Sequence, residues 1–309
     1  MQTLRYSSAD VAARYPMAIS DAVVWSSSTG GWSTTIPLPD LANDHIVVPS
    51  IAVSGTPAVD CVIALATEDS HWTLCPTAQI DCSPRSNGAG ATTHIDYFHC
   101  RTELRAPTVI LTVATPQPPQ RYLLTVASRE FRRSPEPGRA STRRLVVPAI
   151  SQLTAPSMLR HRICSPTCIT MVLNYHGIDA SLAAVSSACF HAPSKLYGVW
   201  PLAIRAAADA GVIAAVECFT DLDAVAPILE RGLPIVASIR FAAGELPGSP
   251  LASTDGHLVV VTGIDRDTVY VNDPAPRDAS TVPRQYPRAA FAAAWLAQRG
   301  VAYVVAPLR

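Results

Sequence analysis

The amino-acid sequence changes character near residue 140, and this change constrains the fold more than any other feature. In the first half, short runs with strand composition alternate with loops rich in Gly, Ser and Pro, and no helical pattern intervenes. The runs are HIVVPSIAV (45–53), CVIALAT (61–67), HIDYFHC (94–100), PTVILTVAT (107–115) and RYLLTVAS (121–128). Strands at this spacing predict an all-β domain, a sandwich or jelly roll, over residues 1–140.

In the second half helices come first and strands later, which predicts an α+β domain over residues 141–309. Helices are expected at 165–176, 181–190, 201–210, 223–231 and about 289–296, and strands at 234–241, 257–264, 268–272 and 301–306. The arginine-rich stretch between the two halves, about residues 131–145, is interpreted as a solvated linker rather than a binding patch.

Charge and hydropathy exclude several classes of partner. Lys+Arg and Asp+Glu are equal at 24 each, so neither nucleic acid nor an anionic membrane surface is expected as a partner. No run approaches the roughly 20 apolar residues that span a bilayer, and the first residues lack the apolar stretch of a secretory signal. We therefore expect a cytoplasmic protein with no membrane span and no cofactor, while its oligomeric state stays open.

Eight cysteines are scattered along the chain, and no CxxC pair occurs. Cys75, Cys82, His94, His99 and Cys100 are interleaved in a way that invites a zinc site, but their spacing fits no common zinc template. We therefore expect no metal. Most of the cysteines are interpreted as buried free thiols, with disulfides as the alternative.

The stretch ICSPTCITMVLNYHG (163–177) places two of these thiols at the start of a predicted helix. Cys164 lies at the helix N-terminus, where unpaired N–H groups and the helix dipole favour an anion and lower a thiol pKa. Cys168 lies one turn deeper and lacks that benefit. On this argument Cys164 is the candidate nucleophile and Cys168 a packing residue.

A thiol nucleophile needs an imidazole to take its proton, and His257 is the candidate. His176 lies twelve residues along the same helix as Cys164, about 18 Å away at ~1.5 Å per residue, so it cannot reach the thiol. His161 and His191 lie in loops and are interpreted as surface or core histidines. His257 follows Asp-Gly and opens the apolar run LVVVTGI of a predicted strand.

The strand after His257 supplies a candidate carboxylate. If the strands that begin at His257 and end at Asn272 form an antiparallel hairpin, Asp273 is a diagonal neighbour of His257 on the same face. A carboxylate there would hold the imidazole through its other nitrogen and fix its tautomer. Donors for an oxyanion are expected from the backbone N–H of Cys164 and from the side-chain amide of Gln152, in VVPAISQLTAP upstream.

Taken in order, these residues resemble the papain-like cysteine peptidases, and more narrowly the bacterial relatives of the double-glycine leader peptidases. The matching stretches, which cover essentially all of residues 146–275, are VVPAISQ, CSPTCITMVLNYHG, YGVWPLAIRAAADAG, GLPIVASI, GHLVVVTGID and VYVNDPA. The resemblance implies a papain-like α+β fold and acyl transfer through a thioester. It also implies a thiolate nucleophile at Cys164, a general base at His257, an orienting acid at Asp273 and an oxyanion donor at Gln152.

The chain departs from that family at two positions. Ser165 stands where Gly usually follows the nucleophile, and its side chain is expected to narrow the approach to the oxyanion site. Cys168 stands where the family often has Ser. The resemblance does not extend to residues 1–140, so the task of a leader peptidase is not implied.

Three functions remain open at this point. The first is a thiol hydrolase acting on a peptide or amide, with the β domain positioning or targeting the substrate. The second is an acyl or peptidyl transferase on the same fold. The third is a non-catalytic binding protein whose β domain binds glycans by stacking on Trp25, Trp32 and Trp72. The Gly- and Pro-containing loop 242–256 is expected to border the cleft as an exposed flap.

Overall fold

The computed structural model describes residues 2–56, 58–77, 85–134, 140 and 143–308, apart from the side chains of residues 85–87. The chain divides into two compact units. The first contains Met1–Phe131, Phe190–Val216 and Leu308–Arg309, and the second contains Arg132–Cys189 and Glu217–Pro307. The predicted domains 1–140 and 141–309 stay a prediction, and part of the predicted linker, residues 135–139 and 141–142, lies outside the described residues.

The helices are, in chain order, α1 (Ala9–Ala12), α2 (Cys164–Tyr175), α3 (Leu182–Ala188), α4 (Trp200–Asp209), α5 (Ala226–Glu230) and α6 (Arg288–Trp295). The strands are β1 (Gln2–Ser7), β2 (Ser26–Ser28), β3 (Gly31–Pro37), β4 (His45–Val53), β5 (Cys61–Ala66), β6 (His71–Leu74), β7 (Arg85–Asn87), β8 (Ala91–Thr93), β9 (Phe98–Cys100), β10 (Thr108–Val113), β11 (Tyr122–Glu130), β12 (Val212–Cys218), β13 (Ile235–Phe241), β14 (Thr254–Ile264), β15 (Thr268–Asn272), β16 (Pro283–Pro287) and β17 (Val301–Pro307). Within the described residues, no helix has the length and apolar character needed to cross a bilayer.

The first unit contains two sheets, with strand orders β1–β11–β4–β9–β8 and β2–β3–β10–β5–β6–β7. Alternate residues of β10 are buried, namely Val109, Leu111 and Val113, because successive side chains of a strand point to opposite faces of its sheet. Buried side chains from both sheets, including Trp72 and Phe98, form one hydrophobic core. The assignment of this arrangement to the sandwich or jelly-roll class stays a prediction.

The second unit is built on the antiparallel strands β17–β13–β14–β15–β16, in that order. The middle strands are buried along nearly their whole length, because α2 packs against β14 and α6 packs against β13. Helix α2 is itself buried over its first ten residues save Cys164, which is half-buried. This packing brings the N-terminus of α2 against β14, the strand that carries His257.

Several predicted elements differ from the structure. The strand predicted at 94–100 is wrong in its first half, because a turn closed by the His94 N–H and the Tyr97 carbonyl (2.8 Å) separates β8 from β9. The strands without a counterpart among the predicted elements are β1, β2, β3, β6, β7, β8, β12 and β16. β16 begins and ends in proline, which is tolerated in an edge strand but disguises it in the sequence. β14 begins at Thr254, so the last residues of the predicted flap belong to the strand.

Helix α2 ends in a left-handed glycine, and this position gives a stability prediction. Gly177 has φ +79°, and the N–H of Ile178 donates to the carbonyl of Leu173 (3.0 Å), which is a Schellman arrangement. We expect Gly177→Ala to lower the free energy of unfolding by about 1–2 kcal/mol, because a Cβ disfavours this conformation. No atom lies within 4 Å of the added carbon, so the cost is conformational.

Gly256→Ala is the matched control, and urea denaturation measures the free energy of unfolding of both variants. An added Cβ at Gly256 also meets no atom within 4 Å, but the residue does not have a positive φ. Its effect should stay within about 0.5 kcal/mol. Equal destabilisation by the two substitutions would contradict the prediction.

Candidate active site

Cys164 is the first residue of α2, and the local sequence fixes the start of that helix. The buried Ile163 precedes it with φ −119°, and the Thr167 hydroxyl donates to the Ile163 carbonyl (2.7 Å). Pro166 in the first turn has no N–H to leave unpaired. The sulfur of Cys164 accepts hydrogen bonds from the backbone N–H groups of Ser165 and Leu258. A negative charge on this sulfur is therefore stabilised before any side chain is considered.

His257 lies on β14, paired with Ile239 of β13, and only 3% of its surface is exposed. Its Nε2 lies 2.8 Å from Oδ1 of Asp273, and its side chain also hydrogen-bonds the side chain of Cys164. Because Nε2 is taken by the carboxylate, Nδ1 is the nitrogen left for the sulfur. The three side chains thus form one continuous chain of hydrogen bonds.

Asp273 follows β15 directly and is fully buried. Its Oδ1 accepts from His257 and from the backbone N–H of Ala275 (2.9 Å), and its Oδ2 accepts from the Tyr286 hydroxyl (2.6 Å). Val260 pairs with Asn272, and a register shift separates this pair from the pairs that begin at Gly263. Extended past the end of β15, the register of Val260 and Asn272 would set residue 257 opposite residue 275, which makes Asp273 the diagonal neighbour that the hairpin prediction requires.

Gln152 opens the short 3-10 helix Gln152–Thr154 and is 6% exposed. Its backbone N–H donates to the Pro274 carbonyl (2.9 Å), and the hydroxyl of the preceding Ser151 donates to the Pro276 carbonyl. Gln152 is therefore tied to the loop that follows Asp273. The amide oxygen Oε1 is buried without a hydrogen-bond partner.

The structure joins Cys164, His257 and Asp273 by direct contacts and ties Gln152 to the same loop through its backbone. The other histidines considered for the site lie elsewhere: Nε2 of His176 lies 3.2 Å from the Val305 carbonyl, and His161 is exposed. Sequence reasoning missed Tyr286. In the sequence Tyr286 stands only as a tyrosine in the segment PRQYP (Pro283–Pro287), and that segment was not predicted to be a strand.

The electrostatics of the site favour a thiolate and an imidazolium. Burial raises the pKa of Cys164, but the hydrogen bond and charge of His257, with the N–H groups of Leu258 and Ser165, outweigh burial and lower that pKa below its ordinary value. Burial lowers the pKa of His257, but the charge and hydrogen bond of Asp273, assisted by Cys164, raise it well above its ordinary value.

The two remaining acids of the site have opposite pKa shifts. Burial works against ionisation of Asp273, but His257, Tyr286 and the Ala275 N–H together lower its pKa. Burial, and then the negative charges of Cys164 and Asp273, raise the pKa of Cys168 well above its ordinary value. Cys168 stays a thiol whose Sγ donates to the Leu258 carbonyl (3.2 Å).

Nothing among the described residues supports the zinc site considered from the sequence. Among the described residues, no group of three or more His, Cys, Asp or Glu side chains is arranged to hold a metal ion. Cys75 is disulfide-bonded, which is the alternative considered for the cysteines, and Cys82 lies outside the described residues. Cys100 is a buried free thiol, and His99 pairs with Asp44 (2.7 Å).

An open cavity of about 1070 Å³ lies at the start of β14. Its lining includes Arg240, Phe241, Glu245 and residues 253–255, so the loop after β13 borders it. Neither Cys164 nor any other residue of the hydrogen-bonded chain lines this cavity.

A thiol, an imidazole and a carboxylate in contact are the groups that cysteine peptidases use for catalysis. The profile of the Peptidase_C39-like family matches residues 144–303, which is more than half of the chain. The chain belongs to this family. No match was found among curated proteins.

Three solved structures are each similar to about half of the chain. One is a putative C39-like peptidase from Bacillus anthracis, 20% identical, covering 53% of this chain and 98% of its own, with a TM-score of 0.42. Another is a double glycine motif protease from an AMS/PCAT transporter in complex with the leader peptide, 21% identical, covering 54% of this chain and 97% of its own, with a TM-score of 0.37. A third is the peptidase domain of Streptococcus ComA, 16% identical, covering 52% and 99%, with a TM-score of 0.37.

The lowered pKa of Cys164 gives a prediction on alkylation. The thiolate is the form that reacts with iodoacetamide, so a thiol with a lowered pKa reacts at a lower pH than ordinary cysteines. At about pH 6 we expect Cys164 to be modified first, as read by mass spectrometry. Burial raises the pKa of Cys61 and of Cys100 to about 11, so both should react slowly there.

His257→Ala tests the cause of this reactivity. Removing the imidazolium should raise the pKa of Cys164 by at least about one unit and slow its alkylation at pH 6 about tenfold or more. His176→Ala, on the same unit but bonded to the Val305 carbonyl, is the control and should leave the rate unchanged. Equal rates for Cys164 in the wild type and in His257→Ala would contradict the electrostatic argument.

Proposed function

We propose that the chain is a thiol hydrolase, most simply a peptidase, with Cys164 as nucleophile, His257 as general base and acid, and Asp273 as the orienting acid. The observation that carries this proposal is the unbroken chain of hydrogen bonds from the sulfur through the imidazole to the buried carboxylate, in a member of a peptidase family. Peptides or amides are the substrate class, since membership of a peptidase family favours them.

The chemistry follows from the positions of the protons. The thiolate of Cys164 attacks the amide carbonyl, and the oxyanion is stabilised by the backbone N–H of Cys164 and by the side-chain amide of Gln152. The imidazolium of His257 gives its proton to the leaving amine as the C–N bond breaks, which leaves a thioester. The neutral imidazole then takes a proton from water, whose oxygen attacks the thioester; the C–S bond breaks, the acid is released, and the thiolate of Cys164 and the imidazolium of His257 are restored.

Asp273 keeps the imidazole of His257 in one tautomer throughout the reaction. Because its Oδ1 accepts the proton on Nε2 of His257, the exchangeable proton stays on Nδ1, beside the sulfur. The carboxylate also stabilises the imidazolium, which is present before the thiolate attacks and forms again when the imidazole takes a proton from water. Its burial strengthens that interaction, because the surrounding medium screens it weakly.

A role of the first unit in positioning or targeting the substrate is part of the proposal. The alternative of glycan stacking finds less support, because Trp72 is 1% exposed and its indole N–H donates to the Gly88 carbonyl (3.2 Å). Trp25 and Trp32 are partly buried against the hydrophobic core. Tryptophans used in this way stabilise the core rather than offering a stacking face.

Transfer of the acyl group to an amine or a thiol is the second candidate function, since it uses the same thioester. Product analysis of cleaved peptides with and without added amines separates the two functions. Amide products that grow in proportion to the amine would support a transferase, and free acids alone support the hydrolase.

Cys164→Ala tests the proposal directly with a library of peptides. We expect hydrolysis to disappear, because no other thiol of the site is ionised at neutral pH. Cys168→Ser is the matched control one turn along the same helix, since its hydroxyl still donates to the Leu258 carbonyl. Its activity should be retained, and hydrolysis by Cys164→Ala equal to that of the wild type would overturn the proposal.

Gln152→Ala tests the oxyanion assignment against a reaction that forms no oxyanion. With a cleaved peptide, kcat/KM should fall about 100-fold, the usual cost of losing one donor. Alkylation of Cys164 by iodoacetamide is a displacement at a saturated carbon, so its rate should stay at the wild-type value. Parallel loss of both rates would mean that Gln152 supports the structure instead.

A further inference from the structure

Tyr286 hydrogen-bonds the carboxylate of Asp273 and has no role assigned to it so far. It lies on β16, opposite Val269 of β15, and is fully buried. Its hydroxyl donates to Oδ2 of Asp273 at 2.6 Å, on the carboxylate oxygen that His257 does not use. Every oxygen of the buried carboxylate therefore has a donor, and Tyr286 supplies the donor to Oδ2.

The direction of this hydrogen bond follows from the protonation state of the Tyr286 hydroxyl. The Ser249 hydroxyl hydrogen-bonds the phenol oxygen from the loop between β13 and β14, and Phe291 stacks on the ring (centroids 6.1 Å apart). Burial, followed by the charge of Asp273, raises the pKa of Tyr286, while Ser249 and Arg284 act in the opposite direction. The phenol thus stays protonated and donates.

Ser249 belongs to a loop that is anchored on the same strand. Its N–H donates to the Leu246 carbonyl (3.2 Å), its Oγ accepts from the Leu251 N–H (3.1 Å), and Arg284 of β16 donates to the Gly248 carbonyl (3.4 Å). Leu246 itself is buried. The hydroxyl of Ser249 is therefore held in place and does not swing freely in solvent.

We propose that Tyr286 is a positioning residue of the thiol chemistry: its hydroxyl holds Oδ2 of Asp273, and Ser249 polarises and orients that hydroxyl. The inference rests on the proposed function. It extends the hydrogen-bonded chain by two residues, from sulfur to imidazole to carboxylate to phenol to serine. Tyr286 touches no substrate and acts through Asp273 alone.

The electrostatic consequence has a definite sign. The positive end of the Tyr286 O–H dipole faces Asp273, His257 and, beyond them, the sulfur of Cys164. Removing that dipole makes each group of the site hold its proton more strongly, because the local potential becomes more negative. The thiolate of Cys164 then appears at a higher pH. The charged neighbour Arg284 stays in place when only the hydroxyl is removed.

Tyr286→Phe tests this inference through the pH dependence of Cys164 alkylation by iodoacetamide, followed by mass spectrometry. We expect the acid limb to move to higher pH by about half a unit to one unit. Tyr175→Phe is the matched control: it also removes a tyrosine hydroxyl that donates to an acceptor in the second unit, the Gly232 carbonyl (2.9 Å). Its acid limb should coincide with that of the wild type.

A purely structural role would lower the melting temperature of Tyr286→Phe without moving the acid limb, and that result would overturn the inference. If Tyr286→Phe does not fold, Ser249→Ala decides instead: a smaller shift in the same direction supports the inference, and an unchanged limb overturns it. A wild type without a reactive thiolate below pH 7 is a different result, because it rejects the proposed function itself.

Discussion

The contact between His257 and the buried Asp273 is the interaction on which the rest of the site depends. A carboxylate without solvent contact is costly unless it is paired and fully hydrogen-bonded. Asp273 meets that requirement with an imidazole, a backbone N–H and a phenol. Removing any one of these donors leaves the buried carboxylate without a full set of hydrogen bonds. The three donors lie on β14, in the loop after β15 and on β16, so these elements have to pack together before Asp273 can be buried as an anion.

The N-terminus of α2 stabilises a second anion of the site, the thiolate of Cys164. The sulfur of Cys164 lies where the N–H groups of Ser165 and Leu258 point at it, and the imidazole lies between sulfur and carboxylate. Two negative groups on either side of one cation explain why the pKa of His257 rises while those of both acids fall. Cys168, only one turn further along α2, shares none of these donors and stays protonated. Position on the helix, rather than residue type, separates the two thiols.

The sequence was sufficient for the parts of the site that follow from local rules. The helix start at Cys164 follows from a single segment, and the placement of Asp273 beside His257 follows from the two-residue period of one hairpin. Tyr286 depends on a third strand, β16, whose flanking prolines hide its strand character. Strand composition likewise predicted β4 and β10, whereas β12 is an Ala-rich apolar run, which periodicity alone does not separate from a buried helix segment.

The two departures from the resembled family are both accommodated by contacts that no local rule predicts. The Ser165 side chain was expected to narrow the approach to the oxyanion site, but it is fully buried, and its hydroxyl lies 3.0 Å from the Tyr303 hydroxyl of β17. The side chain therefore points into the sheet, while the backbone N–H remains directed at the sulfur. Cys168 similarly takes the Leu258 carbonyl as its acceptor, and the N–H of that same residue serves Cys164. Leu258, the residue after the candidate base, thus gives one backbone group to each thiol, so a shift of β14 along α2 would disturb both at once.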